Sequence, residues 1–154
     1  MDKQPRMQNV TKSLLSAIYF IWAGLILGVS FIATPVKFQA PNLTMPVALE
    51  VGKATFHLFN AIEWGVMIAI IVLTAISKNI PTKWFMALTL VALLALQSFW
   101  LLPALDIRTD EVIAGGTPSP GHYHWFYIAA EIVKLALTII AAWVCTRPVR
   151  INHA

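Results

Sequence analysis

The sequence predicts an all-α integral membrane protein, a bundle of four transmembrane helices with both termini cytoplasmic, and three observations carry that reading. Of its 154 residues, 58% are hydrophobic and only 12% charged, with a mean hydropathy of +0.73. A soluble domain carries about twice that charged fraction to wet its surface, and so short a chain has too much surface per unit volume to hide this many apolar side chains. Secondly, the scarce charges leave apolar runs at residues 14–35, 54–77, 84–103 and 123–145, each long enough for a hydrocarbon core, which takes about 20 helical residues. Thirdly, none of the runs alternates as a barrel strand does. Backbone in lipid must satisfy its own hydrogen bonds, which leaves continuous helices. The same composition excludes a soluble globular domain and a disordered chain.

The first span lies between Lys12 and Lys37. Lys3, Arg6 and Lys12 make a basic leader, but the apolar run outlasts a signal-peptide core and no small-x-small cleavage site follows, so a retained helix is expected. Gly24-x-x-x-Gly28 would allow close helix approach, within the bundle or between chains. Pro35 is expected to end the span. In the following connection Asn42 or Thr44 is placed to cap a helix, with Pro46 beside it. Asn42-Leu-Thr44 also fits a glycosylation sequon. Lys53 and Lys78 bound the second span, and Trp84 and Pro103 the third, which Pro103 is expected to end. Residues 105–122 read as one or two helical turns stopped by Gly115-Gly116, then a Thr117-Pro-Ser-Pro-Gly121 turn into the fourth span. No repeat breaks the chain, and residues 1–154 read as a single four-span domain.

Eleven Lys and Arg against seven Asp and Glu give a net charge of +4. The basic residues stand beside apolar runs, which suits membrane orientation better than nucleic-acid binding. Lys3, Arg6, Lys12, Lys78, Lys83, Arg147 and Arg150 fall on one side, and only Lys37, Lys53 and Arg108 on the other. The positive-inside rule then places both termini in the cytoplasm of a multi-pass protein of the plasma or inner membrane. Trp84, Trp100, Tyr123, Trp125 and Trp143 sit at span ends, as an interfacial aromatic belt does. Cys145 is the single cysteine, so there is no internal disulfide or redox dithiol.

Chemistry is sought where charge is expensive. Inside the spans stand His57, Asn60 and Glu63 in the second, Gln97 in the third, and Glu131 and Lys134 in the fourth. Such intramembrane groups are costly and mark functional sites. The first three recur every third residue, a stripe that drifts about 60° per step and is expected to share a face. At 1.5 Å per residue, Glu63 lies about 14 Å below the outer end of its span, Glu131 about 12 Å, Lys134 about 16 Å and Gln97 about 9 Å. One level in the outer half of the bilayer therefore gathers them. Two carboxylates against one ammonium leave a surplus negative charge, to be balanced by a proton, His57 or a cation. Lys134 is expected to pair with Glu131 or Glu63.

This site suits a small transport or ion- or proton-handling protein. Alternatively, it glues helices in a structural or accessory subunit. A further reading is a metal- or haem-binding redox protein. His57, His122 and His124, with Asp106, Asp110 and Glu111 nearby in the chain, admit copper or zinc, and His57 with His124 admits haem. Asp106 and Arg108 read as a solvated salt bridge or a helix start. The sequence lacks a nucleophile elbow, a phosphate-cradling glycine loop and a zinc-protease motif, so no catalytic residue can be assigned. Expected partners are the lipid bilayer and either a second copy or a membrane-complex subunit, and no nucleic acid.

Several short segments together resemble a known family. They are Phe31-Ile-Ala-Thr-Pro35-Val-Lys-Phe38, Val51-Gly-Lys-Ala-Thr-Phe56, and Leu101-Leu-Pro-Ala-Leu-Asp106-Ile-Arg108. Gly115-Gly116, His122-x-His124 and Tyr127-x-x-x-Glu131-x-x-Lys134-Leu135 follow. The pattern resembles the four-helix membrane domain of the transmembrane protein 205-like type, a domain of unknown function. The resemblance implies a four-span membrane protein and carries over no catalytic residue.

Overall fold

The computed structural model describes the backbone of residues 3–77, 81–118 and 120–146. Lys78, Arg147, Arg150 and His153 lie outside the described residues, as do the side chains of Lys3 and Arg6. Four helices make up the fold, and no strand occurs among the described residues: α1 (residues 3–37), α2 (Met45–Ile76), α3 (residues 81–113) and α4 (Tyr123–Thr146). Each is long and apolar enough to cross a membrane.

The prolines expected to end the first and third spans do not end them. Helix α1 runs through Lys3–Ile26, a π-helical segment Leu27–Ala33 and a last turn Thr34–Lys37. Helix α3 repeats the plan with Pro81–Leu96, the π-helical Gln97–Leu101 and Leu102–Ile113. Proline has no N–H, and its ring crowds the carbonyl four residues back. Membrane helices absorb this by local widening. Here the amide before each proline reaches back five residues, from Thr34 to the Val29 carbonyl and from Leu102 to that of Gln97. The Thr34 hydroxyl also donates to Val29 O, at 2.8 Å.

The connections follow local chemistry. Thr44 holds the N-cap position of α2 with Pro46 in the first turn, although its side chain makes no capping bond. This helix starts at Met45, well ahead of the apolar run at 54. Its early turns lay Ala48 and Gly52, four apart and both buried, against the bundle. A β-carbon at Gly52 would meet the Lys37 ammonium, so this glycine admits the lysine onto the helix backbone. At the other link, Gly115 has φ +80°. The Gly116 amide donates to Glu111 O at 2.9 Å and the Gly115 amide to Val112 O at 3.0 Å. That pair of bonds is a Schellman stop, which favours glycine in the left-handed position.

Each helix packs on its chain neighbours, and α4 closes the ring along α1. The connection end of the bundle carries the links 38–44 and 114–122, and the terminal end lies opposite. The surface is apolar: Phe20, Leu58, Phe85, Phe99 and Trp125 are exposed, as lipid-facing side chains are. Gly24 and Gly28 face open space, since an added β-carbon would meet nothing within 4 Å. Within the bundle this pair therefore mediates no close helix contact.

A large apolar core fills the terminal half, built around Leu15, Trp22, Met67, Ile70, Leu90, Leu94 and Ala142. A smaller one at the connection end joins Leu101, Tyr127 and Ala130, with Phe56 set edge-on to Tyr127. Between the two lies a polar layer.

Candidate functional site

The polar layer is organised around Lys134, whose side chain is fully buried. Its ammonium lies 2.6 Å from Glu63 Oε1 and 2.7 Å from Glu131 Oε1, and donates to Gln97 Oε1 at 2.7 Å. Three donors thus meet three acceptors. The sequence offered Glu131 or Glu63 as partner, and the fold supplies both. The Phe59 ring lies 5.8 Å from the same ammonium. Glu131 is a near neighbour by helical spacing, since residues three apart share a surface. Glu63 and Gln97 arrive from α2 and α3.

The carboxylates are unequally served. Glu131 Oε1 also accepts from Gln97 Nε2 at 2.6 Å, and its Oε2 from the Ser30 hydroxyl at 2.8 Å. Glu63 Oε1 accepts from Trp22 Nε1 at 2.9 Å as well as from Lys134, while its Oε2 is buried without a hydrogen-bond partner. The centre carries two carboxyls and one ammonium, so its formal charge is −1 when all three are ionised.

Ser30 and Gln97 both come from π-helical segments. Such widened turns recur at functional positions because they redirect side chains out of the α-helical register. Sequence reasoning missed Trp22 and Ser30. Trp22 is a tryptophan far from a span end, where its N–H needs an internal acceptor, and that was the available signal. Ser30 was legible only as a hydroxyl one turn ahead of the Thr34-Pro35 pair.

His57 and Asn60 do not join the centre. Two steps of about 60° leave His57 about 120° around the helix from Glu63, so the stripe does not share one face. Asn60 Nδ2 instead donates to Ser98 Oγ at 2.8 Å, as Trp64 Nε1 does at 3.0 Å, and the Ser98 hydroxyl turns to Leu94 O at 2.7 Å. His57 lies at the connection end, half exposed, with Nε2 2.7 Å from Asp106 Oδ2. Next to it Lys53 pairs with Asp110 at 2.7 Å. Arg108 donates to Gly121 O at 3.0 Å rather than pairing with Asp106. Among the described residues no group of three or more His, Cys, Asp or Glu side chains could hold a metal ion. The histidine trio therefore does not assemble: His57 is engaged by α3, and His122 is exposed.

His124 has a different place. It lines a cavity of about 350 Å³ between α1, α2 and α4, walled by Phe31, Phe38, Phe56 and Ile128 and reaching Ser30 and Glu131. A second cavity of about 110 Å³ shares Thr34, Phe38, Phe56 and His124 with it and extends to Lys37, Lys53 and Asp106. Their linings together run from Glu131 to Lys53 and Asp106 at the connection end. Toward the terminal end, the apolar core of Met67, Ile70 and Leu94 lies beyond the centre.

Four apolar helices around a buried charge centre define a small multi-pass membrane protein. The chain belongs to the family described as Domain of unknown function (DUF4149), which matches residues 17–111. No curated protein and no solved structure matches it. The matched residues contain Trp22, Ser30, Glu63 and Gln97, whereas Glu131 and Lys134 come from α4, beyond them.

Proposed function

We propose that the protein is a small ion-handling transport protein of the plasma or inner membrane, whose intramembrane centre takes up and releases a proton. The observation that carries this reading is a fully buried centre of two carboxyls, Glu63 and Glu131, against one ammonium, Lys134, beside a cavity that Glu131 lines. An uncompensated charge at that depth costs several kcal/mol, and a proton is the smallest species that offsets it. Glu63 Oε2, with no donor beside it, is where an added proton replaces the costliest bare oxygen.

A network serving only to hold helices together would be balanced in charge and closed. This one has a carboxylate too many and a cavity ending on Glu131. The proposal carries the cytoplasmic placement of both termini from the basic residues, so the connection end, toward which the cavity linings extend, lies on the opposite side. It also carries the resemblance to the transmembrane protein 205-like type. Infrared spectroscopy of the protein reconstituted in lipid tests it. A carboxylic-acid carbonyl band that titrates with pH and disappears in Glu63→Gln is expected. A band unchanged by that substitution, or no such band at any pH, overturns the reading.

A further inference from the structure

Resting on that reading of the centre as a proton site, we infer that its substrate is a monovalent organic cation with an apolar body, taken up in exchange for the proton. The cavity of about 350 Å³ ends on Glu131, whose Oε2 accepts one hydrogen bond, from Ser30. A carboxylate oxygen has a second lone pair, so Glu131 keeps acceptor capacity beside the cavity that it lines. Phe31, Phe38 and Phe56 wall the space, and aromatic rings attract cations through their π-faces while accommodating an apolar body.

A hard metal ion fits poorly. Calcium takes about six to eight oxygen ligands, whereas the oxygen-bearing side chains here are Ser30, Thr34 and Glu131, and the Thr34 hydroxyl is engaged with Val29 O. An anion would add to a charge already in surplus.

The exchange follows from charge balance. With the cavity empty, one proton on the carboxyl pair neutralises the centre. When the cation enters, two carboxylates face Lys134 and the ligand, the sum is zero again, and the proton leaves to solvent. The groups facing the pair are Trp22 and Ser30 from α1, Gln97 from α3, and Lys134 with Tyr127 from α4. His124 on the cavity wall is the other group able to supply a proton, and Lys37 lines only the adjoining cavity.

Calorimetry on the purified full chain in detergent, with benzylammonium as probe and uncharged ethylbenzene as control, reads the exchange directly. Below the pH at which the pair titrates, buffers of different ionisation enthalpy should report about one proton released per cation bound, with affinity rising about tenfold per pH unit. Glu63→Gln and Glu131→Gln should each weaken binding at least about tenfold and end the proton release, whereas His124→Gln should retain it. Equal binding of the uncharged control, binding without proton release, or release lost only in His124→Gln overturns the inference. If the infrared band titrates as proposed but the cation does not bind, the proton site stands and the organic-cation substrate falls.

Discussion

Replacing Lys134 by Met is the most informative single perturbation of the charge centre. The ammonium is fully buried and serves Glu63, Glu131 and Gln97 at 2.6–2.7 Å. Methionine keeps an unbranched apolar stem of similar length but supplies no donor. Glu63 then retains Trp22, and Glu131 retains Gln97 and Ser30, while the formal charge falls from −1 to −2. Removing one partner from a buried ion pair costs about 3–5 kcal/mol. Glu131→Leu combined with Lys134→Leu removes one charge of each sign and restores the wild-type surplus of −1. The double variant should therefore be more stable than Lys134→Met, and in a cycle with the Glu131→Leu and Lys134→Leu single variants its non-additivity should be about 1–3 kcal/mol, as expected of neighbours in one network. Denaturant unfolding in mixed micelles measures both. A Lys134→Met protein with the wild-type midpoint, or a double variant less stable than Lys134→Met, would refute the reasoning.

Glu63→Gln should leave stability within about 1 kcal/mol of wild type in the same unfolding assay, because it keeps an acceptor for Lys134 and Trp22 and removes the surplus charge. Gly115→Val should cost about 1–2 kcal/mol, since its φ of +80° is a left-handed conformation that β-branched residues resist, and a lowered thermal midpoint would report it. Asp110→Asn breaks the exposed pair with Lys53 and should leave the midpoint unchanged, as solvent-exposed pairs contribute little. A clear drop in that midpoint would contradict this.

The helical spans were legible because hydropathy and the absence of charge act locally along the chain. Their ends were less so. The helices extend past the apolar runs, to Lys3 in α1 and Met45 in α2, because interfacial turns need no apolar composition. Pro35 and Pro103 misled for a physical reason. A proline forbids a regular α-turn, but it permits a widened one, and which occurs depends on neighbouring helices that the local sequence does not display. Glu63, Gln97, Glu131 and Lys134 could be placed at one level from the rise per residue alone. Their rotation about the helix axes was harder, and the angular drift that carries His57 toward Asp106 was underestimated. Trp22 and Ser30 reach the centre from α1 by long-range packing, 41 and 101 residues away in sequence from the carboxyls they serve.

The central claim is that a proton moves between solvent and the Glu63–Lys134–Glu131 centre, part-way across the bilayer. A rapid pH jump applied to proteoliposomes adsorbed on a supported membrane tests it most directly, because charge entering a buried site generates a transient displacement current without a full transport cycle. Wild-type protein should give such a current, and Glu63→Gln should give none while remaining folded. Identical transients from the two proteins, or none from wild type at any pH step, would contradict the account.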